Sequence, residues 1–187
     1  MDIYQIIITH NRIWTVKEML CFGGVFLIIL AGVIRMVYRQ RILKRQAAAV
    51  LFLVGFLGIV FGSTVFTRTA TVRSYELIPF WSWREVIVRQ DRYLLVENLL
   101  NCVLLMPMGV LLPFIANRRI KWRWAFLTGF CVSAVIEVCQ LVFCVGLFEW
   151  DDMIHNGIGC LIGCLIGNVG MRIIERRCMR RGNYRNT

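Results

Sequence analysis

Residues Ala47 to Thr67 read AAAVLFLVGFLGIVFGSTVFT, 21 positions without a charge. A helix rises about 1.5 Å per residue, so about 20 such residues cross about 30 Å of hydrocarbon. The run is long and apolar enough for this. It therefore predicts a membrane-spanning helix. Four further stretches have the same character. Residues 19–38 are interrupted only by Arg35, and residues 94–116 contain Glu97, Asn98 and Asn101. Residues 124–148 carry a single charge, Glu137. Residues 153–174 begin with His155 and Asn156 and end near Arg172. The predicted fold class is all-α, a polytopic membrane helix bundle of five transmembrane helices.

Composition agrees. The chain has 187 residues, a length that suits one domain, and is 58% hydrophobic and 18% charged. Soluble domains average about 45–50% apolar and about 25% charged residues. The same figures exclude a disordered chain, a collagen-like repeat and a small disulfide scaffold. The organisation read from this is a leader over 1–18, a transmembrane domain over 19–174 and a basic cytoplasmic tail over 175–187. No internal repeat or linker interrupts it, and no cleavable signal peptide is expected, because the first apolar run is already of span length.

The net charge of +11 would suit nucleic acid if it were clustered on one surface, but it alternates along the chain. The first connection holds Arg35, Arg39, Arg41, Lys44 and Arg45 with no acid. The third holds Arg118, Arg119, Lys121 and Arg123, and the tail holds Arg172, Arg176, Arg177, Arg180, Arg181 and Arg185 against Glu175. The intervening connections are near neutral or acidic, with Glu149, Asp151 and Asp152 after the fourth span. Basic loops stay on the cytoplasmic side, so the amino terminus is expected outside and the carboxyl terminus inside. Membrane lipid, with anionic headgroups at the basic faces, is the expected partner, and nucleic acid is not.

Two segments outside the spans are distinctive. Ser74 to Arg84 places Phe80, Trp81 and Trp83 just after Pro79, which predicts a turn at headgroup level. Ile3 to Trp14 mixes apolar and aromatic residues and reads as a short interfacial helix. Gly159, Gly163 and Gly167 recur every four residues, a small-residue face for close helix packing within the chain or in a homo-oligomer. Seven of the eight cysteines lie in spans and none forms a C-x-x-C pair, so they read as small packing residues.

Charged groups at the centre of a span cost about 2.5–3.5 kcal/mol on insertion scales, so they need partners or a wet cavity. With the orientation above, Glu97, Asn98 and Asn101 lie in the outer third of the third span. Glu137 and Gln140 lie near the middle of the fourth, and Asp151, Asp152, His155 and Asn156 at the outer mouth of the fifth. Residues three or four apart share a helix face, which pairs Glu97 with Asn101, Glu137 with Gln140, Asp151 with His155, and Asp152 with Asn156, Gly159 and Gly163. Pro107 and Gly109 predict a kink beside this set. Three roles fit it: hydrogen bonds that order the helices, a pocket open to the outside, or a catalytic or metal site. No recognised metal-ligand spacing or nucleophile motif is present, so no metal and no cofactor is predicted.

The sequence Asn101-x-x-Leu104-Leu105-x-Pro107-x-Gly109 resembles a motif of the VanZ-like family of membrane proteins. So does Glu137-x-x-Gln140, and Asp151-Asp152-x-x-x-Asn156-x-x-Gly159 is similar to the family's carboxyl-terminal signature in order and spacing. The Arg68 region leading into Leu77-Ile78-Pro79-Phe80 is similar to the stretch before the family's core, so the resemblance runs from about Ala47 to Gly170. It implies a bacterial cell membrane protein with its polar set at Arg68, Asn101, Glu137, Gln140, Asp151, Asp152 and Asn156. It also implies a link to low-level resistance to the glycopeptide teicoplanin, with which the founding member is associated. There is one departure: relatives often carry an arginine in the turn before the aspartates, where this chain has Gly146-Leu147-Phe148-Glu149. Neutralisation of Glu137, Asp151 and Asp152 is then expected from Arg68, Arg73 or a bound cation.

The combined expectation is an outward-facing pocket with candidate residues Arg68, Glu97, Asn101, Glu137, Gln140, Asp151, Asp152, His155 and Asn156. Its ligand would be a lipid-linked cell-wall precursor or an amphiphilic glycopeptide. The alternative is a metal-dependent hydrolase or transferase, with Glu137 or His155 as base and Asp151 and Asp152 as cation ligands. Transport is disfavoured, because five spans without an inverted repeat lack the symmetry of an alternating pathway.

Overall fold

The computed structural model describes residues 13–70 and 72–183. Thr15 opens helix α1 (Val16–Tyr38) with a reciprocal cap. Its hydroxyl accepts from the Glu18 amide at 3.3 Å, and the Glu18 carboxylate accepts from the Thr15 amide at 2.9 Å. This satisfies two of the donors that a helix start leaves orphaned. Helix α2 (Lys44–Phe61) follows and runs on into a π-helical turn, Gly62–Phe66. After strand β1 (Ser74–Glu76) comes the short helix α3 (Trp81–Arg89). Asp91 caps α4 (Arg92–Leu104), its carboxylate accepting from the Tyr93 amide at 2.8 Å. The chain breaks at Leu105 and resumes as α5 (Met106–Ala116) with Pro107 in its first turn, where a missing N–H costs nothing. Helix α6 (Trp122–Phe143), strand β2 (Leu147–Glu149) and helix α7 (Trp150–Asn183) complete the order.

Five helical segments among the described residues are long and apolar enough to cross a membrane. They are Val16–Tyr38, Lys44–Phe66, Arg92–Ala116, Trp122–Phe143 and Trp150–Arg177. They match the five expected spans, with α4 and α5 forming one kinked span. The interfacial helix expected over Ile3 to Trp14 lies almost wholly outside the described residues.

Two boundaries differ from expectation. The fourth span stops at Phe143 rather than near residue 148, because Cys144 turns into the left-handed region (φ 55°) and ends the helix. The residues after it form β2, paired in parallel with β1 in the register Ser74↔Leu147, Tyr75↔Phe148, Glu76↔Glu149. Here two distant segments satisfy each other's backbone groups in place of a helical ladder. The stretch Ser74 to Arg84 is likewise more ordered than a turn. It comprises β1, a bend at Pro79 and Phe80, and the first turn of α3.

Helix α7 is the central element, packing against α4, α5 and α6, while α5 also packs on α2, and α1 lies against α2. The glycine stripe explains the close approach. A methyl group on Gly159, Gly163 or Gly167 would collide with the carbonyl oxygen of Cys102, Met106 or Val110 respectively. The stripe is thus occupied by α4 and α5 of the same chain, and lacking side chains there lets backbones touch. Val60, Leu105, Met108, Ile136 and Cys160 form the apolar core around this contact. Elsewhere, apolar residues such as Leu27, Ile28, Phe52, Val138 and Ile166 face outward, as lipid-facing surfaces do.

Candidate functional site

At the end of the bundle where α2 and α6 finish and α4 and α7 begin, a cavity of about 250 Å³ opens between the helices. The sequence there departs from regular helix, and that departure shapes the cavity. In the π-helical turn the Thr67 amide donates to the Gly62 carbonyl at 2.9 Å, five residues back. Such wide turns displace carbonyls from the ladder. The displaced Thr64 carbonyl accepts from Gln140 Nε2 at 3.0 Å. Arg68 follows directly and lines the cavity.

The cavity also takes Trp81 from α3, Glu97 and Asn101 from α4, Glu137 and Gln140 from α6, Glu149 from β2, and Asp152 and Asn156 from α7. Asn101 Nδ2 donates to Asp152 Oδ1 at 2.5 Å. Glu137, only 2% exposed, accepts from the Glu149 amide at 3.0 Å, which ties β2 back onto α6. Asn156 Nδ2 donates to Ser133 Oγ at 2.9 Å, and that hydroxyl donates to the Asp152 carbonyl at 3.4 Å. Four carboxylates therefore face the space, with one guanidinium among them. Among the described residues the ion pairs are Arg89–Glu85 at 2.8 Å and Arg119–Glu175 at 3.7 Å, neither of them at the cavity.

Burial of Glu149 pushes its carboxyl up to about 8, helped by the nearby charges of Asp152, Glu97, Asp151 and Glu76. Arg68 lies close to Glu137 and Asp152. Gly146 makes room for it: a methyl group there would sit 3.1 Å from Arg68 Nη1 and 3.2 Å from the Gln140 amide carbon. Gly146 of this turn thus packs against Arg68, which follows the π-helical turn.

Asp151 and His155 do not line this space. Successive helical residues are rotated by about 100°, so Asp152 and Asn156 face the cavity while Asp151 and His155 face α3. Asp151, 1% exposed, accepts from the Phe80 amide at 2.5 Å, the Ser82 amide at 3.0 Å and the Ser82 hydroxyl at 2.5 Å. Trp83 Nε1 donates to His155 Nε2 at 2.7 Å, and Asn98 Nδ2 donates to Ser82 Oγ at 3.2 Å. Together these bonds hold α3 across the bundle end, with its first residue, Trp81, forming part of the cavity wall. Since both Asp151 oxygens are engaged there, Asp151 and Asp152 do not converge on one point. Among the described residues no three His, Cys, Asp or Glu side chains are grouped to hold a metal ion.

Several residues of this region fall outside the candidate set drawn from sequence, Thr64, Ser82, Trp83 and Asn98 among them. Glu149 and Trp81 line the cavity, and Ser133 fixes Asn156. Glu149 sits in the acidic turn that ended the expected fourth span, which is a detectable signal. Ser133, a small hydroxyl in an apolar helix that also carries Thr128, offers none.

Five apolar spans around a buried polar cavity define a multi-pass helical membrane protein. Residues 46–170, two-thirds of the chain, match the VanZ/LLP1 family, and the protein belongs to it. No curated protein and no solved structure matches the chain.

Proposed function

We propose that the cavity binds the polar end of an amphiphilic cell-envelope ligand, a lipid-linked wall precursor or an amphiphilic glycopeptide. Binding of this kind would contribute to low-level teicoplanin resistance by reducing the drug's access to its target. The observation that carries this reading is the cavity itself, a space lined by Arg68 and four carboxylates within a bundle whose spans face outward with apolar residues. Intramembrane charge is costly and collects where something polar must be handled.

The orientation that suits this role has the amino terminus outside and the carboxyl terminus in the cytoplasm. It is supported by the basic connections after α1 and α5 and the basic end of α7, all of which lie at the bundle end opposite the cavity. The leader, transmembrane domain and basic tail then occupy the outer face, bilayer and inner face in turn.

Size restricts the ligand. Pockets for drug-sized molecules run about 300–1,000 Å³. At about 250 Å³ the cavity admits a headgroup or terminal group, with the acyl portion left against the outward-facing apolar residues. Expression in a susceptible host tests the reading. Teicoplanin tolerance should rise more than vancomycin tolerance, and Glu137→Gln with Asp152→Asn should abolish the rise at equal protein level. Equal sensitivity with and without the protein would remove the resistance role.

A further inference from the structure

Resting on the reading of the cavity as a headgroup site, we infer that its ligand carries an ammonium group beside a hydroxyl or carbonyl oxygen, and not a phosphate. Charge is the first reason. Glu97, Glu137, Glu149 and Asp152 outnumber Arg68 four to one around the cavity. An ammonium finds carboxyl oxygens on most of the wall to accept its protons and to ionise beside it, whereas an anionic headgroup finds a single cation, Arg68.

The second reason is independent of charge. Asn156 is 3% exposed, and its Oδ1 accepts no hydrogen bond from the described residues. Its amide orientation is set by Ser133, whose proton goes to the Asp152 carbonyl and whose oxygen therefore accepts from Asn156 Nδ2. The amide oxygen is thus left over as a buried acceptor in the cavity wall, and buried acceptors call for donors. A primary ammonium supplies three N–H donors and a secondary one two. Either suffices for Asn156 Oδ1 and at least one carboxylate at once.

The third reason is Trp81. Its indole forms part of the same wall, and Nε1, also buried, donates to nothing among the described residues. A ligand oxygen next to the amine would accept that proton. The indole face meanwhile suits a cation. Amino-alcohol and aminoacyl headgroups have both features and are small enough for about 250 Å³.

Binding of radiolabelled probes to the full-length protein in phosphatidylcholine nanodiscs tests this. The probes share one tail: N-dodecylethanolamine, dodecyl phosphate and dodecyl maltoside. N-dodecylethanolamine should bind saturably and most tightly. Asn156→Ala should weaken it about tenfold, the value of one hydrogen bond to a charged partner. Trp81→Phe, which keeps the ring and removes the donor, should weaken it several-fold. Asn156→Asp should strengthen it, a gain that misfolding cannot produce. Dodecyl phosphate binding as tightly as the amine, with the same sensitivity to Asn156→Ala, would overturn the ammonium assignment and keep the headgroup site. Saturable binding of none of the three, or binding indifferent to every variant, would overturn both.

Discussion

Replacing Asp151 by alanine should release helix α3 from the bundle end while leaving the five spans assembled. One carboxylate accepts three hydrogen bonds there, from the Phe80 and Ser82 amides and the Ser82 hydroxyl. Leaving a buried donor unpaired costs about 1–3 kcal/mol. Phe80 also holds a left-handed backbone (φ 62°), which costs a non-glycine residue about 1–2 kcal/mol and is anchored by its bond to Asp151. Three orphaned donors would therefore cost at least about 3 kcal/mol if α3 stayed in place. The helix can avoid this by swinging out into water, so the loss appears as local opening rather than global unfolding. About 3 kcal/mol corresponds to about a hundredfold loss of amide protection. Hydrogen exchange at Phe80 and Ser82 reads this directly, and trypsin cleavage after Arg84 and Arg89 should accelerate in parallel. Asp152→Ala is the control: it removes a single bond, from Asn101, and should leave both amides protected. Equal protection in the two variants would refute the division of the neighbouring aspartates between latch and cavity.

Three further outcomes follow from the packing and the charges. Gly163→Val drives a side chain into the Met106 carbonyl, and overpacking of this kind costs about 1–3 kcal/mol, whereas Gly32→Val meets open space; thermal unfolding in detergent should separate them. Glu149, held near 8 by burial, binds a proton in the folded state that the unfolded chain releases above about 4.5, so its stabilising contribution is present at low pH and is lost as pH rises through about 8. The melting temperature should fall across that window, and Glu149→Gln should flatten the fall. Asn168 accepts from the Ile120 amide at 2.9 Å and donates to its carbonyl at 2.8 Å, clasping the connection between α5 and α6. Asn168→Ala should lower stability by about 1–3 kcal/mol and expose the Ile120 amide to exchange, with little effect at Phe80.

The spans were legible because their cause is local. A run such as Ala47 to Thr67 specifies a crossing helix by length and apolarity alone, whatever surrounds it. The kink at Pro107 is local in the same way, since proline removes its own N–H. The four-residue glycine rhythm shows which face of α7 allows close approach, because helical periodicity is a property of the single helix. The polar residues inside spans also stand out singly, as groups too costly to leave against lipid.

Contacts between segments far apart in sequence were decided by the tertiary structure. Adjacent aspartates, Asp151 and Asp152, are chemically the same in sequence. They separate because α3 docks on one side of α7 and the α4–α6 wall stands on the other. The β1–β2 pair joins three residues to three others across more than seventy positions, with no periodic pattern to announce it. Glu149 and Trp81 reach the cavity only through that pairing and through the latch of α3. Hydrophobic burial into lipid acts on each segment independently, so sequence alone determines it. Hydrogen bonds between helices need two partners at a fixed distance, and that distance exists only once the bundle has closed.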